Sequence, residues 1–449
     1  MITAQPYFIS QLQHSSIRST FGSYLVTTFT LSNFLFLAHA TITSKKVHSC
    51  HNASVSLIAH CVLQVPPAQR TRWSMICCAS LASLLTLSTF IKLPEGLFIT
   101  FVLSTGIVLA CAGAYLQTSV IAVASLFGPS IIQSMMSGQA IVAVILSSVQ
   151  LISAATSLRA SKVRPVDGAA ETKSARLFFG ISASFLVVCG AANVWMTRLP
   201  SYRAVVPADE PRPRRRLSVS AEFLSLAPSG SETDSKATWD HILRIARANI
   251  IYELAVAYVF IITLVSRQVL RSFDITSNAM QSVFPTITIS IVPTNPAIHP
   301  LFFSSLHFLV FGVGDWFGRY LCSIPRLLIW RPKKLLVLSL TRTLFIPLFL
   351  ACNLQRDASS PSAPPLISSD VLYMLLLFAF GLSNGYVSSM CLMSAPSLEH
   401  NPRLMGRKED VDLAGPIASF CIVGGLVTGS IMSFIVRAIV CACNPFLAE

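Results

Sequence analysis

Residues 96 to 158 read GLFITFVLSTGIVLACAGAYLQTSVIAVASLFGPSIIQSMMSGQAIVAVILSSVQLISAATSL, a stretch without a single Asp, Glu, Lys or Arg. One helix crosses the hydrocarbon core of a bilayer with about 20 apolar residues. The stretch is far longer than one crossing requires. It therefore predicts two successive transmembrane helices.

The whole chain has the composition of a protein that folds in lipid. Of its 449 residues, 53% are hydrophobic and 12% are charged, whereas a soluble globular domain carries about 25% charged residues. Apolar runs of spanning length recur along the chain and predict about ten spans. They lie near Phe21 to Thr43, Trp73 to Ile91, Gly96 to Phe127, Ile131 to Thr156, Leu177 to Thr197, from Leu254 onward, Leu301 to Cys322, Leu335 to Cys352, Val371 to Ser394 and Leu413 to Val436. We expect an all-α, polytopic transmembrane helical bundle.

A polar connection divides the chain into two parts. Residues 199–245 are rich in Pro, Ser and Arg and show no apolar period, which is typical of a disordered loop. Their Arg residues place the loop in the cytosol, because basic residues concentrate on that side of a membrane. The expected organisation is an N-terminal helical bundle (1–198), this loop (199–245) and a C-terminal helical bundle (246–449).

The formal net charge of +14 raises the question of a nucleic-acid partner. The Lys and Arg residues gather in short connections between apolar runs, where the positive-inside bias and anionic lipid headgroups account for them. The sequence shows no basic groove interleaved with aromatic residues. We expect the lipid bilayer, and not nucleic acid, to be the partner of this charge.

The sequence shows no pattern of an enzyme or of a metal centre. The twelve Cys residues are scattered, and neither Cys77 with Cys78 nor Cys441 with Cys443 has a His partner at metal-ligand spacing. A Gly-Xaa-Ser-Xaa-Gly elbow, a His-Glu-Xaa-Xaa-His motif and a P-loop are also missing from the sequence. We expect no catalytic residue, no metal and no cofactor. A membrane-embedded enzyme is kept as an alternative.

Two opposite charges, Asp315 and Arg319, lie four residues apart inside an apolar run. On a helix they share one face and pair, with the acid in the N-terminal position that helix geometry prefers. Charged residues within a membrane are costly, face the bundle interior and often mark a substrate path. The carboxylate offers acceptors and the guanidinium a fork of donors. The alternative is a structural pair that fixes helix packing.

Neutral polar and small residues inside the apolar runs are further candidates. Gln117 can hydrogen-bond a ligand in two places or join two helices. Gly113, one turn earlier, permits close approach of a substrate or of a partner helix. Asn384 interrupts an apolar helix next to Gly385, and the favoured interpretation of both is packing. The same interpretation is given to the remaining small residues in apolar runs, Gly138, Gly424, Gly425 and Gly429.

Two basic features receive other interpretations. Arg342 follows a basic connection, so its side chain is expected to reach back to the membrane interface. In the loop, Arg214-Arg215-Arg216-Leu217-Ser218 is similar to a basophilic kinase site, which makes Ser218 a candidate phosphorylation site. The alternative for this stretch is an ordinary positively charged cytosolic loop.

His299 and His307 are candidate proton carriers. The alternative is that each is a hydrogen-bonded or interfacial histidine, which is the commoner case.

Segments in several runs resemble the equilibrative nucleoside transporter family. FLVFGVGDWFGRYL at 308–321 is similar to the family's eighth-helix signature, and Phe380 to Pro396 is similar to its tenth helix. Gly113 to Gln117 matches a fourth-helix motif, Met136 to Gln139 resembles the start of the fifth helix, and MITAQPYF at 1–8 resembles the end of the first. The likeness covers nearly the whole chain in order.

This resemblance implies a two-bundle architecture like that of the major facilitators. It implies facilitated diffusion of nucleosides, or of nucleobases, by alternating access in a monomer without cofactor. The implied membrane is the plasma membrane or that of a vacuole or lysosome. Asp315 and Arg319 correspond to positions that contribute to nucleoside recognition, and Gln117 to a residue that contacts the base. The alternative is an inactive or truncated paralogue.

The chain departs from the family in two places. The family's first helix carries a Pro-Trp-Asn segment before the residues that match Met1, so we expect a truncated first helix. Residues 265–281 separate Leu264 from Ser282 where the family's seventh helix is continuous. Because they start with Val and end with Gln, whose codons fit GT and AG splice borders, we hypothesise a retained intron. The same holds for residues 47–64, and a genuine excursion outside the membrane is the alternative.

Overall fold

The structure, a computed structural model, describes residues 7, 8, 11, 12, 21–43, 67–91, 94–160, 169–206, 231–268, 300–352, 367 and 369–441. In these ranges the chain forms helices and turns, with one isolated bridge between Cys352 and Ile367. The α-helices are α1 (Phe21–Thr43), α2 (Pro67–Ser88), α3 (Glu95–Phe127), α4 (Pro129–Ala160), α5 (Ala169–Met196), α6 (Pro200–Val205), α7 (Ser231–Gln268), α8 (Pro300–Leu321), α9 (Pro332–Thr341), α10 (Phe345–Leu350), α11 (Asp370–Ser394) and α12 (Val411–Cys441). The all-α prediction is confirmed.

Six helical segments within these ranges are long and apolar enough to cross a bilayer. They are Glu95–Phe127, Pro129–Ile152, Ala175–Met196, Trp239–Leu264, Asp370–Ser394 and Lys408–Met432. Helices α1, α2 and α8 coincide with three further apolar runs that the sequence predicts as spans. The fold is thus the polytopic helical bundle expected from composition.

The long charge-free stretch divides into two helices at Gly128, as its length predicts. Gly128 has a φ of 96°, a left-handed conformation that glycine adopts without the steric cost of a Cβ atom. Pro129 then occupies the first position of α4, where its missing N–H is not needed by the helix. These two residues turn the chain between α3 and α4.

Helix α7 is longer than the sequence analysis assumed. Its segment Trp239–Leu264 is long and apolar enough to cross a bilayer, whereas the predicted run begins only at Leu254. The helix therefore has the length of a span without being joined to Ser282. The error arose at Glu253, which was taken as a boundary but lies inside the span with 4% of its surface exposed. Its Oε1 atom has no hydrogen-bond partner among the described residues.

The connection predicted as disordered contains helix at both ends. Residues 200–205 form α6 and residues 231–245 belong to α7. This corrects the prediction of disorder for those two segments. Residues 207–230 with Ser218, residues 47–64, residues 269–281 and His299 lie outside the described residues.

The predicted span from Leu335 to Cys352 is broken in the middle. Helix α9 ends at Thr341, residues Arg342–Leu344 form a 3₁₀ turn, and α10 follows. Pro347 explains the break, because its ring lacks the N–H that would bond the carbonyl of Thr343 four residues earlier. The break lies where Arg342 turns into the protein interior, 1% exposed.

Helices α8 and α11 cross with their backbones in direct contact. Gly314 and Gly318 on α8 face Gly381 and Gly385 on α11. A Cβ atom on any of the four would collide with a backbone carbonyl oxygen of the other helix; at Gly385 that oxygen belongs to Asp315. Small residues allow helices in membranes to approach this closely. The crossing sets the distance between the side chains described below.

The helices form two groups. Helices α1 to α5 pack among themselves, and α7 packs with α9, α11 and α12. The groups touch where α4 meets α8 and α11, and where α12 meets α1 and α3. Gly425 and Gly429 of α12 lie against the α7 backbone, which confirms close packing for both. At Gly138 a Cβ atom would have no neighbour within 4 Å, so the packing interpretation of Gly138 is wrong.

Candidate functional site

Asp315 and Arg319 pair inside α8, as their spacing predicts. Arg319 Nε donates a hydrogen bond of 2.8 Å to Asp315 Oδ2. Both residues are buried, so the ion pair is screened far less than a pair on a protein surface. The pair lies on the face of α8 that meets other helices and not in an aqueous loop.

Asn384 completes the coordination of the carboxylate from α11. Its Nδ2 donates a hydrogen bond of 2.7 Å to Asp315 Oδ1, so each carboxylate oxygen has a partner. The glycine crossing makes this bond possible, because only backbones in contact bring Asn384 within reach of Asp315. The interpretation of Asn384 as a mere packing residue is therefore too narrow.

Arg342 joins the same cluster from the broken segment between α9 and α10. It donates to Phe380 O at 3.0 Å, to Thr263 Oγ1 at 2.9 Å and, by a shorter contact, to Ser383 Oγ. Its guanidinium carbon lies 4.4 Å from the centroid of the Phe380 ring, a cation–π distance. The prediction that Arg342 reaches the membrane interface is wrong, because its side chain is buried and bonded to groups in the interior.

A continuous chain of polar contacts connects the two arginines through one amide. Arg342 Nη2 lies 3.4 Å from Asn384 Oδ1, and Thr263 Oγ1 donates to the same oxygen at 3.0 Å. These two bonds polarise the Asn384 amide. Its N–H then bonds Asp315 more strongly, because hydrogen bonds in series strengthen one another. Together, Arg319, Asp315, Asn384, Thr263 and Arg342 form what we call the α8–α11 network.

The network reaches across to the N-terminal group of helices. Arg319 Nη1 donates to the carbonyl oxygen of Met136 on α4 at 3.2 Å. In the other direction, Gln133 Nε2 donates to the carbonyl oxygen of Arg319 at 3.1 Å. The ion pair therefore lies at the junction of the two groups and contacts both.

Gln117 and Gly113 lie elsewhere along the same junction. Gln117 Nε2 donates to Ser419 Oγ on α12 at 2.8 Å, which also connects the two groups. A Cβ atom on Gly113 would meet nothing within 4 Å, so this face of α3 is open in the described part of the chain. Among the described residues, no hydrogen bond joins Gln117 to the α8–α11 network.

The network carries two guanidinium groups for one carboxylate. Donors are thus in excess, which suits a ligand with electron-rich oxygen or nitrogen acceptors, while Asp315 accepts from hydroxyl donors. A cavity of about 390 Å³ opens beside the network, with Arg342 and Ser383 in an otherwise largely apolar wall. The described residues contain no cluster of three His, Cys, Asp or Glu suited to a metal ion.

Sequence reasoning missed Arg342, Thr263, Gln133 and the Met136 carbonyl. One signal for Arg342 was available: it lies eight residues beyond Lys334, about 12 Å along a helix axis, which is deep for a side chain that returns to the interface. Thr263 and Gln133 carry no such signal, since neutral polar residues are common in membrane helices. Arg319 contacts Met136 at its carbonyl oxygen and, at 3.6 Å, at its sulfur, and neither contact has a sequence signature.

Arg342→Leu is expected to lower the thermal unfolding midpoint of the purified protein strongly. The substitution removes the hydrogen bonds from Arg342 to Phe380 O, Thr263 Oγ1, Ser383 Oγ and Asn384 Oδ1, and each hydrogen bond to a charged group contributes about 1.5–3 kcal/mol. Arg342→Lys keeps the charge without the planar fork and should fall between Leu and wild type. The exposed Arg331 provides the control, since Arg331→Leu should leave the midpoint unchanged. Equal midpoints for Arg342→Leu and Arg331→Leu would contradict the network.

The fold and the buried ionic network together define an integral, multi-pass membrane protein with a polar network at the junction of two groups of helices. The comparison of its sequence with known families identifies it further. The profile of the family described as "Nucleoside transporter" matches residues 97–438. The chain belongs to the nucleoside transporter family.

Individual relatives agree with this assignment. The chain is 28% identical over 331 residues to equilibrative nucleoside transporter 1 of Rattus norvegicus and 24% identical over 353 residues to that of Homo sapiens; each match covers 73% of this chain and 66% of the relative. Nucleoside transporter FUN26 of Saccharomyces cerevisiae is 31% identical over 34% of this chain and 29% of its own. The chain thus spans slightly less than two thirds of the rat and human relatives. Among solved structures, the E. coli fucose:proton symporter FucP is 13% identical with a TM-score of 0.45, covering 99% of this chain and 92% of FucP.

Proposed function

We propose that this protein transports nucleosides across a membrane by facilitated diffusion. The observation that carries the proposal is the buried Asp315–Arg319 pair at the junction of α4 and α8, where it contacts both groups of helices. Charged residues inside a membrane protein commonly mark the path of a polar solute. The names of the family and of the relatives supply the class of solute.

A nucleoside has polar groups that fit this junction. Its ribose hydroxyls can donate to Asp315 and accept from Arg319, which are the two roles that a carboxylate and a guanidinium offer. Gln117 can pair with the edge of the base through its amide, and the open face at Gly113 leaves space for the ring. Asn384 holds Asp315 in position for the ribose.

Transport requires the two sides of the junction to separate in turn. We infer alternating access between an N-terminal bundle (1–198) and a C-terminal bundle (246–449), connected by residues 199–245. The hydrogen bonds from Arg319 to Met136 and from Gln117 to Ser419 join the two groups, so they are the contacts that a substrate exchanges for its own. The protein acts as a monomer, in the plasma membrane or in a vacuolar or lysosomal membrane.

Uptake of radiolabelled uridine and adenosine into proteoliposomes containing the full chain tests the proposal. Facilitated diffusion predicts saturable uptake that ends at equal concentrations inside and outside and needs no ion gradient. Preloading the vesicles with unlabelled nucleoside should accelerate the initial uptake through exchange. Folded, correctly inserted protein that moves neither nucleoside faster than empty vesicles would overturn the proposal and favour an inactive member of the family.

A further inference from the structure

A basic cavity lies away from the junction, between the start of α7 and the connection from α11 to α12. Its volume is about 470 Å³, which is within the range of ligand sites in proteins. Four arginines contribute to its wall, two from α7 and two from the connection: Arg244, Arg247, Arg403 and Arg407. The cavity thus concentrates positive charge from two separate elements.

The single acid in the wall is already neutralised. Asp410 is buried, and its Oδ1 accepts from Arg244 Nη2 at 3.0 Å and lies 2.7 Å from His241 Nε2. This pairing fixes the connection against α7. Within the described part of the chain, the exposed side chains of Arg247, Arg403 and Arg407 have no carboxylate partner. Three free guanidinium groups therefore face one cavity.

An apolar side chain projects beside these charges. Met405 adopts a left-handed backbone conformation with a φ of 51°, followed by Gly406 at 69°. The turn presents Met405 with 77% of its surface exposed, between Arg403 and Arg407. A large apolar side chain at the tip of a basic turn is suited to the boundary between lipid headgroups and acyl chains.

The adjacent surface of α7 is largely apolar and exposed. Leu243, Ile250 and Leu254 are all exposed, and with Arg247 they occupy positions i, i+4, i+7 and i+11, which share one helix face. Arg247 is therefore the charged member of an apolar stripe. This stripe leads from the membrane-spanning part of α7 directly to the basic cavity.

We propose that the cavity binds the phosphate group of an anionic phospholipid. Arg247, Arg403 and Arg407 bind the headgroup phosphate by charge-assisted hydrogen bonds, while Met405 and the α7 stripe contact its acyl chains. A free phosphate compound would be recognised by the same arginines. Met405 and the exposed stripe favour the lipid, because a water-soluble anion leaves both without a partner.

Lipid retention by the purified full chain tests the proposal without any transport measurement. The protein is delipidated in detergent, supplied with phosphatidylcholine and phosphatidylinositol at equal concentration, and bound lipid is counted by native mass spectrometry. The variant R247Q/R403Q/R407Q is expected to lose phosphatidylinositol retention about tenfold or more, since each basic residue near an anionic lipid surface contributes to attraction. Phosphatidylcholine retention should not change.

A matched variant and a soluble competitor make the test specific. R326Q/R331Q/K333Q removes the same charge from exposed positions in the connection between α8 and α9 and at the start of α9, and it should retain phosphatidylinositol as the wild type does. Met405→Ser should weaken retention several-fold without loss of charge. Equal losses in both triple variants would reduce the site to general surface charge. Displacement of the lipid by millimolar inorganic phosphate, with no effect of Met405→Ser, would assign the cavity to a soluble anion and overturn the proposal.

Discussion

Asp315→Asn is expected to reduce nucleoside uptake at least tenfold in proteoliposomes. The carboxylate accepts from Arg319 Nε and from Asn384 Nδ2, and an amide at position 315 can satisfy only one of these donors with oxygen. The other donor then faces an N–H group, and both arginines of the network lose their counter-charge. Loss of the buried partner also costs stability, about 3–5 kcal/mol, so uptake has to be normalised to folded protein.

A second variant separates transport from folding. Asp315→Asn combined with Arg319→Gln removes both charges together, so no uncompensated ion remains from this pair, and the unfolding midpoint should recover relative to the single variant. Uptake should stay low, because neither the anionic acceptor nor the guanidinium fork is present. Wild-type uptake by this double variant would show that the pair is structural and would remove the basis of the proposed substrate path.

Gly385→Ala is expected to destabilise the fold strongly. The new methyl group would overlap the carbonyl oxygen of Asp315, and a helix backbone cannot give way as a flexible side chain does. Overpacked cores typically lose about 1–3 kcal/mol, and a backbone obstacle lies at the upper end of that range. The separated helices would also lose the bond between Asn384 and Asp315. Size-exclusion profiles and unfolding midpoints of the purified variant measure both effects.

Gly138→Ala is the matched control for that prediction. The same methyl group meets no neighbour within 4 Å at this position on α4. Alanine is a better helix former than glycine by about 0.5–1 kcal/mol, so the midpoint should stay the same or rise. A midpoint for Gly385→Ala that matches Gly138→Ala would mean that α8 and α11 do not touch as described.

The sequence predicts well the features that depend only on the spacing of residues close together in the chain. The charge-free residues 96–158 predict two helices because length and polarity alone decide a membrane span. Asp315 and Arg319 pair because their four-residue separation sets their geometry. In both cases no knowledge of distant residues is required.

The features that the sequence does not predict depend on neighbours distant along the chain. Gly138 and Gly385 are identical residues in apolar helices, and only the crossing with α8 makes one of them indispensable. Arg342 follows a basic connection, as interfacial arginines do. Its contact with Phe380 depends on how the segment around Pro347 folds. Glu253 looks like a boundary because a charge in an apolar run resembles the end of a span, although the helix continues on both sides.

The contact between α8 and α11 has a mechanical consequence. Two helices whose backbones are in contact have no layer of side chains between them along which to slide. We therefore expect α8 and α11 to move as one rigid unit. Asp315 and Asn384 belong to this unit, so the distance between their side chains should stay the same when other helices move. Under the proposed alternating access, movement between the groups has to break the hydrogen bond from Arg319 to the Met136 carbonyl, which frees one guanidinium N–H for another acceptor.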